Sequence, residues 1–171
     1  MKHPHGGRLL AIPGEGNMLT TTPNLLATRP HVMTTRKEEL VQLYEDVWNE
    51  NNPETADELV HETYTIHNRE LAAEMEGPEL YKALASGTRE IFPDLEITIE
   101  DMIASGEKVA LRWTMTGTHE GSMFGVEPTG RRVELTAIEI NHFNEEKLIE
   151  TWSQSDQVGL MQQLGIDIGD S

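Results

Sequence analysis

Apolar residues in the first half of the folded region recur at helical spacing. From Leu40 they lie three or four residues apart up to about Asn51, which predicts an amphipathic helix. Thr35-Arg36-Lys37-Glu38 has the spacing of a capping box, so we expect this helix to begin at Thr35. Pro53 indicates a second, short helix, and a third is expected from Gly77-Pro78 to Phe92.

After Pro93 the apolar positions alternate with polar ones, which is the period of a β-strand. One short strand is predicted earlier, at residues 63–67. Residues 95–99 and 109–116 alternate as two strands joined by a turn at Ser105-Gly106-Glu107. Residues 133–143 and 148–156 predict a second hairpin, and residues 159–164 predict a closing helical turn. Helices precede strands, so the predicted fold class is α+β, with helices packed on one face of a curved antiparallel sheet.

Charge and composition remove several classes of function. The chain has 171 residues, 30 Asp and Glu against 13 Lys and Arg, a net charge of −17 and no cysteine. Thiolate chemistry, disulfides and cysteine-based zinc sites are therefore excluded. The acid excess argues against binding to nucleic acid or to an anionic membrane surface, and no apolar run is long enough to span a membrane.

The excess of acidic residues lies entirely after residue 33. Residues 1–33 carry three basic residues against one acidic residue and are rich in proline, which predicts a flexible N-terminal extension or a misassigned start. We expect a folded domain at residues 34–166 and a short tail at residues 167–171. No convincing signal peptide is visible, so a cytoplasmic location is expected. The acidity indicates high solubility or a halophilic, salt-rich cytosol.

Two stretches of sequence carry a resemblance to a known family. They are Arg112-Trp113-Thr114-Met115-Thr116-Gly117-Thr118-His119-Glu120-Gly121 through Gly125 to Pro128-Thr129-Gly130-Arg131, and Glu146-Lys147-Leu148-Ile149-Glu150-Thr151-Trp152 through Asp156 to Gln163-Leu164-Gly165. Over about residues 35–166 the chain resembles the SnoaL-like polyketide cyclases, or ester cyclases, of the nuclear-transport-factor-2-like superfamily. The resemblance implies a cone enclosing an apolar pocket for a small hydrophobic ligand, and a homodimer.

The resemblance implies that Asp156 is the general acid and base. A carboxyl group among apolar side chains loses solvation, which raises its pKa and makes it a better base. The alternative is structural, because aspartate is also a preferred N-cap for a helix that follows it directly.

The resemblance also implies a pocket histidine at His142, fourteen residues before Asp156. Such a histidine could stabilise a developing enolate. A simple two-residue turn at Glu145-Glu146 would put His142 and Asp156 on opposite faces, so a shared pocket needs an odd-length loop or a β-bulge. Relatives usually have glycine at Glu146, and this departure favours the longer loop.

Five further residues are candidates for contact with the substrate. They are His67, Arg112, Trp113, His119 and Trp152. Structural roles compete for each, because a histidine near a strand end is often hydrogen-bonded to its surroundings and tryptophan often packs in a core. No motif for a cofactor or a metal is present.

Two main hypotheses for function remain open at this stage. One is a cofactor-independent acid–base enzyme acting on a small hydrophobic carbonyl compound, by intramolecular aldol closure or a related isomerisation. The other is a binding protein with the same cone and no chemistry. An epoxide hydrolase with two carboxylates bridged by arginine is a third, weaker alternative, since Arg112 and Asp156 supply only two of its three members.

Overall fold

The order of helices and strands follows the sequence pattern closely. The computed structural model describes residues 30–67 and 75–166. The elements are α1 (Pro30–Leu43), which continues into a π-helical segment (Tyr44–Asn49), then α2 (Glu54–Leu59), β1 (Val60–His67), α3 (Gly77–Ile91), β2 (Glu96–Ser105), β3 (Lys108–Thr118), β4 (Arg132–Asn144), β5 (Lys147–Ser155) and α4 (Gln157–Leu164). The α+β fold class expected from the sequence is confirmed.

The first helix begins earlier than the sequence predicts. It starts at Pro30, so Thr35 lies inside α1 and the predicted start at the capping box is wrong. Residues 1–29 of the predicted extension and the predicted tail at residues 167–171 lie outside the described residues. Strand β1 also begins early, at Val60, directly after α2.

The sheet is an antiparallel meander with one added parallel strand. Its order is β1-β5-β4-β3-β2, with antiparallel pairing throughout β2 to β5. Strand β1 pairs with β5 in parallel, which the sequence pattern did not indicate. The inner face of this curved sheet packs against α1, the π-helical segment and α3, and it is there that the apolar core lies.

The hairpin between β4 and β5 combines a tight turn with a β-bulge. Asn144 pairs with Lys147, so Glu145 and Glu146 form a two-residue turn instead of the longer loop expected, and Glu145 takes the positive φ of 58°. The register then shifts, and His142 pairs with Glu150.

Arg36 ties α1 to both long hairpins. Its buried guanidinium donates hydrogen bonds to the carbonyl of Gly106, in the β2–β3 turn, and to the carbonyl of Glu145 at 3.2 and 3.4 Å. These bonds attach the helix to the turns of both hairpins. Within residues 30–67 and 75–166, no helix combines the length and apolar character needed to cross a membrane.

Candidate active site

A cavity of about 400 Å³ lies between the helices and the inner face of the sheet. Most of its wall is apolar or aromatic. The aromatic part consists of Tyr44, Trp48, Tyr64, Tyr81, Trp113 and Phe124, and the aliphatic part includes Ile66, Leu84, Ile91, Ile97, Met115, Met123, Leu135 and Leu160. Such a wall suits a small hydrophobic ligand.

Alternation along β4 and β5 brings a group of polar side chains into this apolar wall. Glu139 and Asn141 enter the cavity from β4, and Thr151 and Ser153 enter it from the facing positions of β5. Since residues two apart on a strand share a face, these four side chains form one compact polar patch. We refer to Glu139, Asn141, Thr151 and Ser153 as the polar patch.

Glu139 is the ionisable centre of the polar patch. Its side chain is buried, and the Tyr44 hydroxyl donates a hydrogen bond of 2.6 Å to its Oε2 atom. Burial raises the pKa of Glu139 above its ordinary value, while hydrogen bonding from Tyr44 and Ser153 opposes the rise. Among the described residues that line the cavity, Glu139 is the single carboxylate and no arginine, lysine or histidine accompanies it.

Two further hydrogen-bond donors lie beside Glu139, the buried indole Nε1 of Trp113 and the buried amide Nδ2 of Asn141. Neither makes a hydrogen bond of normal length and angle, but both act on the Glu139 carboxylate as weak donors and so lower its pKa, against the effect of burial. The Asn141 amide is oriented by Thr151, whose hydroxyl donates to Oδ1 of Asn141 at 2.8 Å.

The cavity tyrosines act as neutral groups near pH 7. Burial raises the pKa values of Tyr44, Tyr64 and Tyr81 well above the ordinary value for a phenol. Tyr81 accepts a hydrogen bond of 2.9 Å from the indole of Trp48, and the rings of Tyr64 and Tyr81 meet edge to face at 5.7 Å. These contacts join aromatic side chains of the π-helical segment, β1 and α3 along one side of the cavity.

Asp156 lies at the edge of the site, outside the cavity lining. It is the N-cap of α4, and its Oδ1 accepts a hydrogen bond of 2.8 Å from the backbone N–H of Gly159. Its neighbours Ser155 and Gln157 line the cavity, whereas the Asp156 side chain is exposed. The capping alternative is therefore present in the structure, and the catalytic role of Asp156 stays a prediction.

Three other residues predicted for the site lie close together on the outer face of the sheet, namely His67, His142 and Trp152. Nδ1 of His142 lies 3.2 Å from Glu150, and Nε2 of His67 lies 3.5 Å from the same carboxylate. The ring of His67 also stacks on Trp152, with 4.8 Å between the ring centres. Because of the β-bulge, His142 and the alternating position of Asp156 fall on the same face of the sheet, as a shared site requires. That face is the outer one, directed away from the cavity.

Of the remaining residues predicted to contact the substrate, Arg112 is exposed on the outer face of the sheet, whereas His119 is buried. Arg112 is exposed on the sheet face opposite Trp113. His119 is fully buried in the β3–β4 loop, where its Nδ1 accepts a hydrogen bond of 3.2 Å from the Thr129 backbone N–H. Of the seven residues predicted for the site, Trp113 is the one that lines the cavity described here.

The sequence analysis did not identify Glu139 and Asn141, because at the centre of β4 polar residues face inward and apolar residues face outward. Continuing the alternation from Val133 and Leu135 places Glu139 and Asn141 inside and Ile138 outside. The available signal was therefore a glutamate and an asparagine at inward positions of an otherwise apolar strand face. The adjacent exposed residues Ile138 and Ile140 obscured that signal, since apolar side chains are normally assigned to the core.

The comparisons with known proteins agree with this architecture. A family model described as SnoaL-like polyketide cyclase matches residues 38–164, which include the sheet and the polar patch. No curated protein matches the chain significantly.

Solved structures with the same fold include proteins from several bacteria. TsrD from Streptomyces laurentii is 26% identical with a TM-score of 0.70, covering 77% of this chain and 96% of its own. IdmH from Streptomyces antibioticus, a candidate polyketide cyclase, is 29% identical with a TM-score of 0.68 and coverages of 77% and 99%. A candidate polyketide cyclase from Acidithiobacillus ferrooxidans is also 29% identical, with a TM-score of 0.68 and coverages of 77% and 94%.

Proposed function

Because the chain belongs to the SnoaL-like polyketide cyclase family, we propose that it is a cofactor-independent acid–base enzyme for a small hydrophobic carbonyl compound. The observation that carries this proposal is Glu139, a buried carboxylate with a raised pKa in an otherwise largely apolar and aromatic cavity wall. A carboxylate in such surroundings is a stronger base than one in water.

The reaction begins at a carbon next to the ligand's carbonyl group. Glu139 removes a proton from this carbon, and the electron pair of the broken C–H bond forms an enolate. The enolate carbon then attacks a second carbonyl of the same molecule, and the resulting alkoxide takes the proton from the Glu139 carboxyl group, which regenerates the base. Return of the proton to another carbon instead gives an isomer. The cavity favours either outcome by holding the reacting carbons together.

A catalytic test needs a probe ketone with acidic C–H groups, and 2-tetralone is small enough for the cavity. Wild-type protein in D₂O is expected to accelerate deuterium uptake next to the carbonyl, as followed by proton NMR. Glu139→Gln should slow the catalysed exchange by about 100-fold or more, because general bases contribute on that scale. Glu134→Gln, an exposed glutamate on the same strand, is the matched control and should exchange at the wild-type rate.

A non-catalytic binding protein is the second candidate. The observation that favours it is the presence of a single carboxylate, and no histidine, among the described residues of the cavity wall. Wild-type protein that retains 2-tetralone without accelerating its exchange would support this candidate over the enzyme. The epoxide-hydrolase alternative loses support, because Arg112 is exposed on the other sheet face and the described lining offers no second carboxylate.

We also propose that the outer face of the sheet pairs with a second copy of the chain. Ile138, Ile140 and Trp152 are large apolar residues on this face, and they are 60%, 44% and 37% exposed. Ile140 and Trp152 are direct neighbours across β4 and β5, so they form one continuous apolar surface. A homodimer would remove this surface from water.

A further inference from the structure

The cavity extends along β4 well beyond the polar patch. Glu139 and Leu135 both line it from the inner face of this strand, four residues apart, which corresponds to about 13 Å along a strand. Thr118 pairs with Arg132, so the β3–β4 loop leaves the sheet beyond Leu135. We call the part of the cavity next to this loop the far end. Its lining is largely apolar and consists of Met115, Met123, Phe124, Leu135 and Leu160, together with Ser155 and Gln157.

Phe124 lies at the tip of a tight turn at the far end. The backbones of Met123 and Val126 exchange hydrogen bonds of 3.1 and 2.8 Å, so Phe124 and Gly125 are the two central residues of this turn. Both have a positive φ, of 50° and 77°, which is the pattern of a type I′ turn. Glycine adopts this conformation freely, whereas a phenylalanine there is strained.

The exposure of Phe124 to water adds a second cost. Phe124 is 60% exposed although it lines the cavity, whereas the adjacent Met123 is buried. A large apolar ring in contact with water is unfavourable. A strained backbone that carries an exposed ring does not stabilise the fold, and such strained residues cluster at ligand-binding sites.

The backbone fixes this loop to the end of α3. The N–H groups of Glu120 and Gly121 donate to the carbonyl of Ile91 at 2.9 and 3.0 Å. One helical turn earlier, Gly87 lines the cavity, and a Cβ atom there would have no neighbour within 4 Å. Glycine inside a helix is less favourable than alanine, and no described atom lies close enough to require it here. Gly87 therefore leaves open space on the helical side of the cavity.

We propose that Phe124 is a specificity-determining residue whose ring covers the end of an elongated ligand, one that extends from Glu139 past Gly87 to the far end. The inference rests on the proposed function, since it takes the cavity as the ligand site, and it adds the shape of the ligand, with an apolar ring at the end remote from Glu139. A ring bound at the far end would shield Phe124 from water and make an aromatic pair with it. A short ligand held at Glu139 would leave Phe124 exposed.

The test compares 2-tetralone with 6-phenyl-2-tetralone, which carries a further ring on the side away from the carbonyl group. Calorimetry gives the Kd of each probe, and wild-type protein should bind the longer one more tightly. Phe124→Asn should reduce this preference by about three- to tenfold, the range expected for one aromatic pair. The same substitution should raise the melting temperature by about 2–4 °C, because Asn-Gly suits a type I′ turn.

Further variants separate contact with the ligand from support of the fold. Phe124→Tyr keeps the ring and should retain the preference for the longer probe. Gly87→Leu should weaken binding of the longer probe more than that of 2-tetralone, because its side chain would enter the open space, whereas Gly87→Ala should have a smaller effect. Val158→Asn changes an exposed apolar residue outside the described cavity lining and should leave the ratio of the two Kd values unchanged.

The outcomes distinguish this inference from the proposed function. If wild-type protein binds neither probe, the cavity as a ligand site is refuted, and the proposed function with it. If wild-type protein binds both probes equally, or if Phe124→Asn retains the preference, the role of Phe124 is refuted while Glu139 remains testable by deuterium exchange with 2-tetralone. A lower melting temperature for Phe124→Asn would show that Phe124 supports the fold, and would overturn the argument from its cost.

Discussion

Tyr44 and Glu139 are joined by a buried hydrogen bond of 2.6 Å, although they are 95 residues apart in sequence. Tyr44 lies in the π-helical segment after α1 and Glu139 lies at the centre of β4. The phenol stabilises the charged form of the carboxylate, while burial disfavours that form. The contact thus links the helical layer to the group proposed as the base.

Tyr44→Phe removes this hydrogen bond and keeps the ring. The pKa of Glu139 should rise further, so the acid side of the pH–rate profile for 2-tetralone exchange should move to higher pH. On that acid side the rate should fall by about tenfold, the effect expected from losing a hydrogen bond to a charged group. Tyr81→Phe is the control, and an equal displacement of its profile would show that Tyr44 has no specific role.

Two substitutions of Asp156 distinguish a helix-capping role from a catalytic role. Asp156→Ala should lower the free energy of unfolding by about 1 kcal/mol, whereas Asp156→Asn should be nearly neutral because asparagine is also a good N-cap. With Glu139 as the base, both variants should retain exchange activity with 2-tetralone. Loss of exchange in a fully folded Asp156→Asn protein would restore the general-base role implied by the family resemblance.

Glu39 makes the stability of the fold dependent on pH. Burial, followed by the nearby charge of Glu146, raises the pKa of Glu39 from 4.5 to about 7. The folded state therefore binds more protons than the unfolded state between these values, so this group's contribution to stability falls as pH rises from 4.5 to 7.

Glu39→Gln should remove that dependence. The variant should match wild-type stability near pH 4 and exceed it at pH 8, by about 1 kcal/mol at most because the side chain is partly exposed to solvent. Chemical denaturation at several pH values measures the difference. Glu38→Gln, an exposed neighbour on α1, is the control, and an identical pH profile for the two variants would contradict the prediction.

Ile140→Lys tests the proposed homodimer. A charge at this exposed position should convert the dimer to a monomer without unfolding it, as measured by sedimentation velocity or light scattering. Val158→Lys changes another exposed apolar residue, on α4, and should leave the dimer intact. A wild-type protein that is already monomeric at high concentration would contradict the proposal.

The net charge of −17 predicts a dependence on salt. Repulsion among carboxylates destabilises the compact state and is screened at high ionic strength. The melting temperature should therefore increase between 0.05 M and 2 M KCl. Equal melting temperatures across this range would remove the halophilic interpretation.

Local sequence signals predicted much of the architecture for simple physical reasons. The repeat of three and four residues before Pro93 and the alternation after it reflect the geometry of helices and strands themselves, so the α+β order could be predicted without any tertiary information. The motifs around Gly117 and Trp152 likewise indicated the family.

The location of the site depended on features that the sequence pattern left open. A tight turn at Glu145 and a bulge beside His142 decide which face of β5 meets the cavity, and a shift of one residue reverses every side chain on a strand. That register sends Trp152 outward, to the same face as His142, whose direction follows from the alternation along β4.

By itself, then, the sequence determined the fold class, the family and the acidic net charge, because these follow from local periodicity, motif order and composition. Only the tertiary structure decided that Glu139 and Asn141 face the cavity and that Tyr44 binds Glu139. The physical reason is that burial and hydrogen bonding join residues far apart in the chain, and these contacts give a carboxylate its unusual environment.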